Sequence, residues 1–178
     1  MISRRELLKT GVAGAIVLAL ARCAPQRAPS TPRWTDDGYD YRVLDPPQRE
    51  IVSVIAGVML AGALPATTAR DATASLTLAV RGVDTAISGL TPSVQGEVQQ
   101  LFGLLTNPIV RPLTTGLWSD WRDADAHDVA AFLTRWRFSG LVLLRSGYDA
   151  LHQLVMAGWY GNDAAWPHTG YPGPPRIG

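Results

Sequence analysis

From Asp45 to Tyr160 the chain alternates apolar and polar residues with the period of a helix. The run from Ile51 to Leu64 is apolar except for Ser53, and it opens behind Asp45, Pro46, Pro47 and Gln48. An Asp side chain can accept the orphan amides of a first helical turn, and proline is tolerated there because those amides lack partners anyway. A helix is therefore predicted from this opening to about Leu64, ended by Pro65. Its uniform apolarity over a length too short to span a bilayer predicts a central buried helix.

Leu76, Val80, Val83, Ile87 and Leu90 then recur at intervals of three and four, the stripe of an amphipathic helix. Thr91 and Pro92 open another, with Val94, Val98, Leu101, Phe102 and Leu105 on its stripe and Asn107-Pro108 as its stop. A third stripe, Val129, Phe132, Leu133 and Trp136, follows Asp123, Asp125 and Asp128, whose charges suit the positive end of a helix dipole. The fourth is Leu141, Leu144, Tyr148, Leu151, Val155 and Trp159, so the region from about Asp125 to Tyr160 reads as one long helix or two, kinked near Gly140 or Gly147. No alternating run competes with these stripes. The predicted fold is an all-α bundle of about five helices.

Past Tyr160 the chain turns to glycine, proline and aromatics, ending in Gly170-Tyr171-Pro172-Gly173-Pro174-Pro175, and this tail is expected to be irregular rather than helical. Rigid aromatics among few charges have the composition of a protein interface. Trp159, Tyr160, Trp166 and Tyr171 are its expected anchors, with Pro172, Pro174 and Pro175 holding the chain extended. Trp136 and Trp118 are assigned to packing, and the face around Trp118 and Trp121 is the alternative interface. Upstream, Pro25, Pro29 and Pro32 among Ser, Thr and Gln read as a tether. The resulting layout is a leader over residues 1–23, a flexible linker over 24–42 and a helical domain over 43–178.

The leader carries the most specific signal in the chain. Ser3, Arg4, Arg5, Leu7, Leu8 and Lys9 spell the twin-arginine export pattern, and Gly11 to Ala21 is an apolar core of signal-peptide length. This predicts export to the bacterial periplasm through the twin-arginine translocase. Ala19-Leu20-Ala21 offers a small-x-small cleavage site, while Leu20-Ala21-Arg22-Cys23 is a lipoprotein box spoiled by Arg22. Cys23 is accordingly a lipidation site, a free thiol or an intermolecular disulfide partner, since the chain has no second cysteine.

Composition narrows the chemistry. The 178 residues suit one domain, and a formal charge of +1, carried by arginines and the single Lys9, supplies no basic face for nucleic acid. One cysteine excludes an internal disulfide or a thiolate zinc site. There is no Walker loop, no nucleophile elbow and no haem-attachment motif, and the closely spaced Gly11 and Gly14 lie in the leader, so no dinucleotide fold is encoded. Asp123, Asp125, His127 and Asp128 lack the glycine and terminal glutamate of a calcium loop and read as a helix start. His152, beside apolar residues, reads as a boundary residue. No catalytic, metal or cofactor site is predicted in this chain. A signal used for proteins that fold before transport, usually around a cofactor, then implies that the cofactor belongs to something carried along.

Several motifs together resemble a known family, the small subunit of bacterial membrane-bound FAD-dependent sugar and alcohol dehydrogenases, the group related to gluconate dehydrogenase subunit 3. They are the leader, the Asp45-Pro46-Pro47 opening, Ala131-Phe132-Leu133-Thr134-Arg135-Trp136-Arg137, and the endings Ala157-Gly158-Trp159-Tyr160-Gly161-Asn162-Asp163-Ala164-Ala165-Trp166 and Gly170 to Pro175. The resemblance implies a non-catalytic companion. It would assist the maturation and export of a signal-less flavoprotein of the glucose-methanol-choline oxidoreductase type, which holds the FAD, and stay bound to it, with a multihaem cytochrome c as a further partner. The rival expectations are a free-standing periplasmic α-helical lipoprotein or binding module, and an α-helical hydrolase using Asp123, His127 and Asp128.

Overall fold

The computed structural model describes residues 34–173 apart from 37, 66 and 67. The export-signal residues Ser3 to Lys9, Cys23, Pro174 and Pro175 lie outside the described residues. The fold is all-α: α1 (Pro46–Met59), α2 (Ala69–Ser88), α3 (Pro92–Thr106), α4 (Val110–Thr115), α5 (Ala126–Arg137), α6 (Val142–Tyr160) and the four-residue α7 (Trp166–Thr169), with single 3-10 turns at Trp121–Asp123 and Asp163–Ala165. Five of the helices have seven residues or more, as the stripes predict.

Local chemistry sets the boundaries. Asp45 and Gln48 form a reciprocal capping box, the Gln48 amide donating to Asp45 at 2.8 Å and the Asp45 amide to Gln48 at 3.2 Å. α1 stops at Met59, short of the expected Leu64, because the chain tightens into a turn that passes Gly62 at φ 84°, a conformation only glycine adopts freely. Asp125 caps α5 by accepting from the His127 amide at 2.8 Å, which places the acidic cluster at a helix start. The region from Asp125 to Tyr160 is two helices, parted over Phe138–Leu141 at Gly140. Gly147 lies inside α6, where a Cβ would stand 2.6 Å from the Trp136 ring.

α1 is central, as its composition predicts: Ile51, Val52, Ile55 and Ala56 are buried, and it touches α2, α3, α5 and α6. The most extensive helix pair is α2 with α6. These two cross with their backbones in contact at Gly82 and Gly158, for a Cβ on Gly82 would fall 1.9 Å from the Gly158 carbonyl oxygen. Phe102, Phe132, Trp136 and Trp159 complete the core.

Two expectations are corrected. The linker is packed from Trp34 onward: the Trp34 amide donates to the Ser53 hydroxyl at 3.3 Å, the Thr35 amide to Thr77 at 3.4 Å, and Trp34 and Tyr41 lie against the core. Past Tyr160 the tail is partly helical, since residues 163–169 form a 3-10 turn and α7 before Gly170 ends them at φ 72°.

Candidate partner-binding surfaces

The C-terminal tail folds back on the bundle. Trp159 belongs to the fourth stripe and is 1% exposed, so it is a core residue and not a surface anchor. Trp166 is half-buried against the core; its indole donates to the Tyr160 carbonyl at 3.3 Å, and the Tyr171 ring meets it edge-on at 5.5 Å. Gly173, at φ 93°, lies close against the same indole. Tyr160, Tyr171 and Pro172 are exposed. Beside them an open groove of about 560 Å³ runs along the α2–α6 crossing, lined by Tyr39, Arg81, Thr85, Gly158, Asn162 and Trp166 among others.

One of the helices lining this groove, α2, also carries a device that the sequence pattern did not reveal. Asp84 of α2 is fully buried, and its carboxylate accepts three successive amides of the incoming chain, Arg42 at 3.0 Å and Val43 and Leu44 at 2.9 Å. Arg49 strengthens the bend by donating to the Leu44 carbonyl at 2.8 Å while its guanidinium lies over the Tyr41 ring. A carboxylate four residues from Val80 and three from Ile87 sits on a buried stripe by spacing alone, and that was the available signal.

The other end of the bundle is built around Trp136. Its indole donates to the Thr114 carbonyl at 2.9 Å, and the neighbouring Arg135 guanidinium donates to the Thr115 carbonyl, so two orphan carbonyls of the short α4 are satisfied by side chains of α5. Gly116, at φ 72°, leaves room for that guanidinium. Trp121 ties the loop after α4 to α3 through the Leu105 carbonyl at 2.8 Å. Gly147 packs on Trp136 with Leu101 close by, so α3, α4, α5 and α6 meet here.

This end is apolar on its outside. Trp118, expected in the core, is 80% exposed, while Trp121 is buried. Ile109 just ahead of α4 and Leu113 on its outer side, Phe138 at the end of α5, and Leu141, Val142 and Leu143 opening α6 are all exposed by about two-thirds or more. Arg111, on the inner side of α4, is buried and pairs with the exposed Asp120 at 3.2 Å.

Among the described residues no group of His, Cys, Asp or Glu is placed to hold a metal, and His152 stacks on Tyr148. Among the same residues no helix is long and apolar enough to cross a membrane. No family model, no curated protein and no solved structure matches the chain.

Proposed function

We propose that this chain is a non-catalytic companion that carries a signal-less flavoprotein dehydrogenase of the glucose-methanol-choline type through the twin-arginine translocase to the periplasm and remains bound to it. The observation that carries the reading is the leader Ser3-Arg4-Arg5-Glu6-Leu7-Leu8-Lys9 on a chain whose sequence encodes no motif for a redox cofactor. The motifs from Ala131 to Arg137 and from Ala157 to Trp166 support the same assignment by resemblance. FAD then belongs to the passenger, and a multihaem cytochrome c is the expected electron acceptor. The exposed apolar end is consistent with a protein that works in a complex. A free-standing periplasmic lipoprotein or binding module is the second reading, favoured by Cys23 at the processing site.

The test replaces Arg4 and Arg5 together with lysine and follows flavin-dependent dehydrogenase activity in periplasm and cytoplasm. The companion reading expects both the chain and the activity to be retained in the cytoplasm. Normal periplasmic activity with the chain stranded would refute it in favour of the second reading.

A further inference from the structure

Ile109, Leu113, Trp118, Phe138, Val142 and Leu143 lie on elements that converge at Trp136. At these exposures the six side chains together present on the order of 800 Å² of apolar surface, close to one partner's share of a standard interface. The charges around them are mainly of one sign, the exposed Asp120 being paired with Arg111 at 3.2 Å. From Val98 to Ser119 the only charged residue is Arg111, and from Val129 to Tyr148 the charged residues are Arg135, Arg137 and Arg145. Neither stretch contains a carboxylate.

We propose that this end is the face by which the chain holds its passenger, and that the passenger meets it with an apolar recess rimmed by carboxylates. The proposal rests on the companion reading and gives it a location away from the tail. Two other occupants fit the observations less well. Adsorption to an anionic bilayer draws on clusters of about four to eight lysines or arginines reaching the headgroups. Here the only lysine of the chain is Lys9 and Arg111 is buried, which leaves Arg135, Arg137 and Arg145, fewer cations than such a cluster. A second copy of this chain, docked through the same face about a two-fold axis, would set Arg135, Arg137 and Arg145 against their own counterparts, and Asp120, already paired with Arg111, offers one carboxylate for the three of them. A different protein with an acidic rim satisfies both the apolar area and the sign of the charge. The cations are also held in place by their own backbone and ring contacts, so little side-chain freedom is lost on docking.

The experiment uses the full chain, tagged at its C-terminus in its native host, with a benzophenone-bearing amino acid at Trp118, Phe138 or Tyr171. The passenger is scored by the fluorescence of its bound flavin and by peptide mass. The proposal expects photo-adducts from positions 118 and 138 to the flavin-bearing protein, on peptides containing Asp or Glu. It further expects the double variant Phe138→Ser with Val142→Ser to bind the isolated flavoprotein at least tenfold more weakly at unchanged helical circular dichroism. Adducts to the flavoprotein from position 171 alone would overturn the face and leave the companion reading standing. Adducts to lipid or to a second copy from 118 and 138 would overturn it in favour of those occupants. Absence of any flavin-bearing protein from the complex would remove the companion reading, and the face as a passenger site with it.

Discussion

The crossing of α2 and α6 makes a prediction whose sign depends on position. Gly82→Ala places a Cβ 1.9 Å from the Gly158 carbonyl oxygen, and Gly158→Ala places one 2.6 Å from the Val83 amide nitrogen and 2.7 Å from a Val83 methyl. The first obstacle is backbone, so no side-chain rotation relieves it and the helices must separate by about 1 Å or more, loosening the most extensive contact of the fold. Overpacking of this kind costs about 3 kcal/mol, against a gain of at most ~1 kcal/mol from replacing glycine by alanine in a helix. Gly96→Ala and Gly103→Ala in α3 have nothing within 4 Å of the new Cβ, so only the favourable term remains. Thermal melts of the four variants should therefore split. Gly82→Ala should melt roughly 4–8 °C below the parent, Gly158→Ala lower by a smaller margin, and the α3 variants level with it or up to ~4 °C above. If Gly82→Ala and Gly96→Ala melted within a degree of each other, the backbone contact at the crossing would be wrong.

Removing the Asp84 carboxylate should also be costly: Asp84→Ala leaves the Leu44 amide buried without an acceptor and exposes two others to water, a loss of ~3 kcal/mol in urea unfolding, whereas Asp84→Asn keeps one oxygen and should lose ~1 kcal/mol. Equal losses for the two would show that the amides have other acceptors. In the tail, Trp166→Ala should lower the melting temperature by a few degrees, because the indole packs on the core, while binding of the flavoprotein falls by less than threefold. A thirty-fold loss of binding at an unchanged melting temperature would return the interface to the tail.

The helices were legible where the chain announces its own ends. Asp45 with two prolines, Thr91 with Pro92, and Asn107 with Pro108 are local signals, and the structure places helix ends at all three. α4 was not legible, because six residues around Pro112 have no period to detect and are fixed by the Trp136 and Arg135 side chains from 20 residues or more downstream. The tryptophans divided on the same ground. Trp159 stands four residues after Val155 on a stripe, so its burial was available from spacing; Trp118 and Trp121 lie in a loop where spacing carries no direction. The apolar end left a faint trace. Leu141, Val142, Leu143 and Leu144 are consecutive at a helix start, and four successive residues cannot all face one core.

The Asp84 cradle also decides how a pull on the N-terminal end of the chain would be felt by the domain. Tension applied ahead of Trp34 first meets the Trp34 ring packed on the core and the amide bonds to Ser53 and Thr77. It then reaches residues 42–44, where three successive amides are held by one buried carboxylate. Because that carboxylate sits in the last quarter of α2, two residues past Gly82, the force enters the domain beside the crossing with α6. The capped start of α1 lies beyond the cradle and is shielded from it. The cradle and the packed Trp34 and Tyr41 rings together hold the entering chain against such a pull, which is what the proposed export of a folded chain would ask of it.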